Sequence, residues 1–197
     1  MIARLRTGAR RTATHLQPVR VRCFPTADGE FFIAIASTAA GDRLLETGWT
    51  AIRQPPSEWV ASPRLAPELV ARIRAAIDGE PIDFTDVAIP DATPFFHACR
   101  RFAQAIPCGA TISYVELARR AGSPAASRAA GQAMRRNPTP IVVPCHRVVA
   151  ANGTLGGFSG DWGAGRQVES ATASCARPTD VKARLLAREA KGAKSQR

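Results

Sequence analysis

Residues 137–160 read NPTPIVVPCHRVVAANGTLGGFSG, and this stretch decides how the rest of the chain is interpreted. Its apolar, β-branched run at 141–143 is stopped by Pro144, which predicts a short buried strand that delivers Cys145 to a turn. A thiol is nucleophilic only as the thiolate, and a cationic or hydrogen-bonding neighbour lowers its pKa from about 8.5. With His146 beside it, Cys145 has the parts for nucleophilic chemistry. The alternative is a small buried cysteine next to a hydrogen-bonded core histidine.

The charge of the chain is unevenly distributed. The net charge is +11, yet residues 21–90 hold six basic and ten acidic side chains, whereas residues 91–160 hold eight basic and two acidic ones. A basic half of this kind fits a polyanionic partner. The alternative is a solvated basic surface. Residues 1–18 are rich in arginine and lack acids, which predicts a disordered basic arm.

The cysteine pattern indicates the compartment. The chain has five cysteines, at positions 23, 99, 108, 145 and 175, without a CxxC pair. An odd, scattered set favours reduced thiols in the cytoplasm over a disulfide framework. No apolar run is long enough to span a membrane, and His15, Cys23 and His97 are too scattered to predict a metal site. We therefore expect a cytoplasmic protein without a cofactor or a metal.

The N-terminal half predicts a small α+β domain at 19–88. Apolar patterns at 19–24 and 31–36 flank a turn and predict a hairpin, and a third strand is expected at 44–49. Apolar residues at helical spacing predict a helix over 63–78. No catalytic group stands out in this domain, so its role is expected to be structural.

Residues 91–197 are expected to form a mostly helical domain, which makes the whole chain α+β. Pro94 suits the first position of a helix. The buried face of that helix is predicted to hold Phe95, Cys99, Phe102 and Ile106. Two further helices, at 114–121 and 125–136, are separated by a glycine-containing turn and predict a winged-helix-like helix-turn-helix.

The second helix of this pair has small side chains. Alanine, serine and glycine dominate it and leave little to contact base edges in a major groove. They let a helix backbone approach DNA closely, while Arg128, Arg135 and Arg136 supply positive charge to the phosphates. This composition suits binding that tolerates any sequence. The alternative is a tightly packed core helix.

Several motifs in this half resemble the O6-alkylguanine-DNA alkyltransferase family. They are IPxGxxxxYxxLA at 106–118, RAxGxAMRxNP at 128–138, PCHRV at 144–148 and the glycine-rich stretch 153–160. The resemblance is dense from about residue 95 to residue 160 and weaker before it. It implies repair of double-stranded DNA by transfer of an alkyl group from O6 of guanine, and from O4 of thymine, to a cysteine thiolate. A thioether has no hydrolysable acyl carbon, so each molecule is expected to react once, as a monomer.

The resemblance also implies roles for individual residues. Cys145 would be the nucleophile, and His146 would accept its proton through a water. Tyr114 would help rotate the target nucleotide out of the duplex, and Arg128 would take its place. The other residues that the resemblance assigns are Ala129, Gly131 and Arg135 toward DNA, and Asn137, Pro140, Val148, Gly156 and Ser159 toward the substrate.

The carboxylate that orients the histidine is where the sequence departs from the family. There, a KxxLLxxE motif follows the Gly-Ser-Gly loop after only a few residues. In this chain residues 161–181 come first, and KARLLARE at 182–189 then matches. We expect an inserted loop at 161–181 and assign the carboxylate to Glu189. The alternative is Glu169, within the insertion.

Two other functions are compatible with parts of the sequence. A non-catalytic module that binds alkylated DNA would use the same scaffold, although Cys145 argues against it. A Cys-His hydrolase of small esters or amides would also use Cys145 and His146. The basic helix-turn-helix argues against the hydrolase, as does the missing pattern for a third catalytic residue.

Overall fold

The structure is a computed structural model, and it describes residues 18–155 and 178–194. The described chain begins with four strands: β1 (Arg20–Thr26), β2 (Gly29–Thr38), β3 (Gly41–Trp49) and β4 (Val60–Ala61). They form one sheet in the order β3-β2-β1-β4. The predicted hairpin and third strand are confirmed, because β1 and β2 pair antiparallel, as do β2 and β3, while β4 pairs in parallel with β1.

One face of this sheet packs on helix α1 (Pro67–Ile77) and forms part of the main core. The helix begins at Pro67 rather than at residue 63, because Ala66 before it has a left-handed backbone with φ of 40°. The buried side chains of this layer are Phe24, Phe31, Ile33 and Trp49 from the sheet, and Val70, Ile73 and Ile77 from the helix. The same cluster continues into the helices that follow, so a continuous core joins the two halves of the described chain. The division into domains at 88–91 stays a prediction.

The second half of the described chain contains the helices α2 (Pro94–Gln104), α3 (Tyr114–Arg120), α4 (Ser127–Arg135) and, after the undescribed segment, α5 (Pro178–Lys194). Helices α3 and α4 form the predicted helix-turn-helix. Ser113 caps α3 as its hydroxyl accepts a hydrogen bond from Glu116 N at 3.0 Å. Two short parallel strands, β5 (Ile112–Ser113) and β6 (Val148–Val149), lie beside these helices. Within the described ranges, no helix combines the length and the apolar character needed to cross a membrane.

The buried face of α2 differs from the prediction. Cys99 is buried, but Phe102 is 40% exposed, and Arg100 and Gln104 are buried in its place. Both polar side chains reach backbone carbonyls inside the fold: Arg100 donates to the carbonyl of Arg136 at 2.6 Å, and Gln104 donates to that of Phe84 at 2.7 Å. These hydrogen bonds offset part of the cost of burying the two polar side chains, so Arg100 and Gln104 take the place of Phe102 on the buried face of α2.

The predicted strand at 141–143 is wrong, although its residues are buried. The segment is a turn in which Ile141 has φ of 73°, a strained conformation for a β-branched residue. Prolines at 138, 140 and 144 lack backbone N–H donors, so the run cannot form a ladder. The strand forms after the cysteine instead, at Val148–Val149.

Hydrogen bonds from residues outside this turn hold it in place. Thr47 in β3 donates from its backbone N to the carbonyl of Pro138 at 2.9 Å and from its hydroxyl to the carbonyl of Pro140 at 2.8 Å. Asn137 Nδ2 donates to the carbonyl of Val143 at 2.8 Å. The edge of the N-terminal sheet therefore supports the segment that leads into Cys145.

We expect Thr47→Val to lower the free energy of unfolding by about 1–2 kcal/mol, because it leaves the buried carbonyl of Pro140 without its donor. Urea denaturation measures the change. Thr50→Val is the matched control: its hydroxyl bonds the carbonyl of Glu30 in an exposed position, and we expect a change within about 0.5 kcal/mol. Equal losses in the two variants would contradict a specific role for Thr47.

Candidate active site

Cys145 begins a 3-10 turn, Cys145–Arg147, directly after the strained segment. Its backbone N donates to the carbonyl of Val143 at 2.8 Å, and Arg147 N donates to the carbonyl of Pro144 at 2.9 Å. The tight turn points successive side chains in different directions from one short segment. Cys145 is only 6% exposed, so the thiol lies inside the fold rather than on its surface.

His146 contacts Glu189, the carboxylate that was assigned from the KARLLARE motif at 182–189. His146 Nε2 lies 2.8 Å from Glu189 Oε1, and Glu189 is 1% exposed. Arg147 binds the same carboxylate, with Nε at 3.0 Å from Oε1 and 3.1 Å from Oε2 and Nη2 at 2.8 Å from Oε1. Gly109 N adds a fourth donor, at 3.2 Å from Oε2. Glu189 therefore joins α5 to the turn that contains the cysteine.

The charges of this cluster fix the state of the histidine. Burial would raise the pKa of Glu189, but the hydrogen bonds and charges of His146 and Arg147 outweigh it and hold the pKa at about 2. Burial lowers the pKa of His146, and the hydrogen bond to Glu189 offsets this only in part. The lowered pKa favours a neutral imidazole at pH 7. In that form the ionised carboxylate accepts the hydrogen of Nε2, which makes Nδ1 the acceptor nitrogen of the ring.

A buried lysine lies near enough to the cysteine to act on it electrostatically. Lys182 has no exposed surface, and its ammonium donates to the carbonyls of Val148 at 2.8 Å and Leu155 at 2.5 Å. Burial raises the pKa of the Cys145 thiol, while a hydrogen bond from Asn137 and the positive charge of Lys182 act in the opposite direction. Both groups stabilise the thiolate once it forms.

Arg147 and Lys182 are the two residues of this cluster that the sequence reasoning left without a role. Lys182 lies seven residues before Glu189, two helical turns along one face of α5, with buried Leu185 between them. That spacing was the available signal. Arg147 directly follows His146 but gave no comparable signal, because its partner lies 42 residues away in the sequence.

The remaining predicted site residues surround the cysteine only in part. Tyr114 is half-buried at the start of α3; burial raises its pKa, and the nearby charge of the Cys145 thiolate acts in the same direction. Asn137, Pro140 and Val148 are buried in the segments on either side of Cys145. Some of the predicted residues and segments lie outside the described chain: Gly156, Ser159, the rival carboxylate Glu169, residues 1–17 of the predicted arm at 1–18, and residues 161–177 of the predicted insertion at 161–181.

Helix α4 presents its arginines on one side and packs with the other. Arg128 and Arg135 are exposed, whereas Ala130 and Ala133 are buried. The core-helix alternative is therefore correct for the inner face of α4 alone. A Cβ on Gly131 would lie 3.9 Å from the Tyr114 ring, so α4 and the start of α3 are close neighbours. Ala129 is half-buried on the same helix.

Metal chemistry has no candidate in the described part of the chain. Across residues 18–155 and 178–194, no three histidine, cysteine, aspartate or glutamate side chains are grouped as metal ligands would be. The cysteines at 23, 99, 108 and 145 are free thiols. The groups gathered at the site are the Cys145 thiol, the His146 imidazole and the charged side chains of Glu189, Arg147 and Lys182.

Comparison with known proteins gives consistent matches. A family model described as the DNA-binding domain of 6-O-methylguanine DNA methyltransferase matches residues 94–191. A methylated-DNA–protein-cysteine methyltransferase of Methanosarcina acetivorans is 39% identical over 104 residues, 53% of this chain and 67% of that protein. Its namesake in Mycolicibacterium paratuberculosis is 40% identical over 102 residues, 52% of this chain and 62% of that protein. The crystal structure of Mycobacterium tuberculosis OGT in complex with DNA matches with a TM-score of 0.69 at 28% identity, over 88% of this chain and 94% of that one.

We expect Glu189→Gln to lower the free energy of unfolding at pH 7 by roughly 3 kcal/mol, because Arg147 stays buried without its counter-ion. The folded pKa of Glu189, about 2, lies below its ordinary value of about 4.5. Its contribution to the free energy of unfolding is therefore complete above pH 4.5 and is lost as the pH falls toward 2. Denaturation measured across this range should show that the free energy of unfolding falls more steeply with pH in the natural protein than in the variant. The exposed Glu58→Gln is the control, and a variant as stable as this control at pH 7 would contradict the expectation.

Proposed function

Because this chain belongs to the family of methylated-DNA–protein-cysteine methyltransferases, we propose that it repairs DNA by moving an alkyl group from O6 of guanine to Sγ of Cys145. The observation that carries the proposal is the hydrogen bond of 2.8 Å between His146 Nε2 and Glu189 Oε1, directly beside that cysteine. A cysteine paired with an oriented neutral imidazole is an activated nucleophile.

The reaction follows from the charges of the site. His146 Nδ1 takes the thiol proton through a water, and Glu189 stabilises the imidazolium that results. The thiolate, opposite the ammonium of Lys182, attacks the saturated carbon in line. The carbon–O6 bond breaks with its electron pair on the guanine, which receives a proton with the help of the Tyr114 hydroxyl. The S–C bond is a thioether with no route to hydrolysis, so each chain reacts once.

The DNA side of the proposal is based on α4 and Tyr114. The relative from M. tuberculosis was solved in complex with DNA. A duplex hides O6 of guanine, so the nucleotide has to be extruded at a cost of a few kcal/mol. We assign Arg128 to the space that the nucleotide leaves, and Arg135 to the phosphates, with Ala129 and Gly131 allowing the backbone to approach. Asn137, Pro140, Val148, Gly156 and Ser159 are proposed to line the pocket for the base.

The two other functions considered from the sequence are not favoured. A silent damage-binding module would have no use for Cys145 beside an oriented histidine. A hydrolase would need an acyl-enzyme to be cleaved, whereas the relatives bear the name of a methyltransferase.

We propose that the chain acts in the cytoplasm as a monomer on duplexes that contain O6-alkylguanine, since every group assigned to the chemistry comes from one chain and the thiols at 23, 99, 108 and 145 are free.

Incubation with duplex DNA that contains O6-methylguanine should add one methyl group per chain. Intact-mass analysis and peptide mapping should place it on Cys145, without turnover beyond one equivalent. Cys145→Ser is the control and should gain no methyl group. A methyl group on Cys108 or Cys175, or repeated turnover, would contradict the proposal.

Arg128→Ala should slow repair of duplex DNA by about a hundredfold while changing the reaction with free O6-benzylguanine by less than threefold. The reason is that only the duplex requires base extrusion, which costs a few kcal/mol. Single-turnover rates on both substrates measure the difference. Arg64→Ala, an exposed arginine of the N-terminal half, should leave both rates unchanged. Equal losses on both substrates would assign Arg128 to folding or chemistry.

A further inference from the structure

The turn between β1 and β2 contains an aspartate, Asp28, that binds helix α5. The side chain of Asp28 has no exposed surface. Arg184 Nε donates to its Oδ1 at 2.6 Å, and Arg188 donates from Nη1 to Oδ2 at 2.5 Å and from Nη2 to Oδ1 at 3.0 Å. Burial would raise the pKa of Asp28, but these hydrogen bonds outweigh it and keep the pKa below its ordinary value. The group is an ionised carboxylate that holds two arginines one helical turn apart.

The same helix is fixed at a second point. Arg188 Nη1 also donates to the carbonyl of Ile77, the last residue of α1, at 3.2 Å. A Cβ on Gly192 would lie 2.5 Å from the carbonyl oxygen of Gly79, and that carbonyl follows directly after α1. Such a close approach leaves α5 little freedom to shift along its axis.

These contacts matter because α5 also holds the groups that face Cys145. Residues 182, 185 and 189 form the buried face of the helix toward the active site, and residues 184 and 188 lie on the adjacent face toward the β1–β2 turn. A rotation or slide of α5 would move Glu189 away from His146 and Arg147.

We propose that Asp28 is a positioning residue for alkyl transfer: by binding Arg184 and Arg188 it fixes α5 and so holds Glu189 against His146. The inference rests on the proposed function, since it assigns Asp28 a part in the same reaction. It gives the N-terminal half a role in the chemistry, although that half contributes no reacting group.

The test compares the full-length protein with Asp28→Asn in single-turnover alkyl transfer from O6-methylguanine DNA. Since each chain reacts once, the amplitude counts competent molecules and the rate constant reports the quality of their site. We expect the rate constant at pH 7 to fall by about tenfold and to recover in part at higher pH, where the thiol ionises without its base. The groups that face Glu189 and Cys145 are unchanged in this variant: His146, Arg147, Cys108, Tyr114, Lys182 and Asn137.

The matched control is Asp86→Asn, which removes an aspartate–arginine pair within the N-terminal half, between Asp86 and Arg72. We expect its rate constant to equal that of the natural protein at every pH. If Asp28→Asn lowers only the amplitude, or lowers the rate by a factor that does not change with pH, Asp28 acts on folding alone and the inference is overturned. If Asp28→Asn does not fold, Arg184→Gln removes one of the three hydrogen bonds and is subject to the same criteria.

A double-variant cycle makes the assignment specific. If Asp28 acts through Glu189, then adding Asp28→Asn to Glu189→Gln should slow transfer no further than Glu189→Gln alone. Additive losses would overturn the inference. A natural protein that takes up no methyl group at all would overturn the proposed function itself, whereas a reactive natural protein with an unaffected Asp28→Asn would overturn only the role of Asp28.

Discussion

Glu189 is a carboxylate with almost no exposed surface, and its charge has to be balanced inside the protein. Desolvating such a group costs several kcal/mol unless a partner and enough hydrogen bonds compensate. Arg147 supplies the charge, and His146 and Gly109 supply further donors. Arg147 in turn donates to the carbonyl of Ile106 at 2.6 Å. One ion pair therefore connects α5, the turn after α2 and the turn that begins at Cys145, and neither fold nor site is complete without it.

This arrangement also divides the charges in a way that suits proton transfer. Because Arg147 already neutralises Glu189, the histidine has no need to be protonated at rest. In the proposed reaction, moving the thiol proton to His146 creates a thiolate whose charge Lys182 stabilises. The imidazolium formed with it stays hydrogen-bonded to the carboxylate of Glu189. No charge has to be moved into or out of the low-dielectric interior as the nucleophile forms.

The sequence was informative where the determining interactions are local. The hairpin follows from neighbours within a few positions, and Glu189 was assigned by the motif that contains it. The strand predicted at 141–143 failed because burial and β-branching were given more weight than three prolines that remove backbone donors. The prediction for the buried face of α2, which placed Phe102 inside, was wrong for another reason. Arg100 can be buried in its place because a carbonyl acceptor is available 36 residues away, at Arg136. Pattern alone does not contain that information.

The same limit explains why the N-terminal half gave no functional signal. Its contacts with the site join residues 93 positions apart for Thr47 and Pro140, and 156 apart for Asp28 and Arg184. Thr47 binds the segment before Cys145, and Asp28 binds the helix that contains Lys182 and Glu189. A strained turn at Ile141 persists only where its surroundings over-determine it, and the ion pair of Glu189 requires its helix to stay in place. The N-terminal sheet and its first turn contact both elements, which is a physical reason for the N-terminal half to accompany the half that contains Cys145.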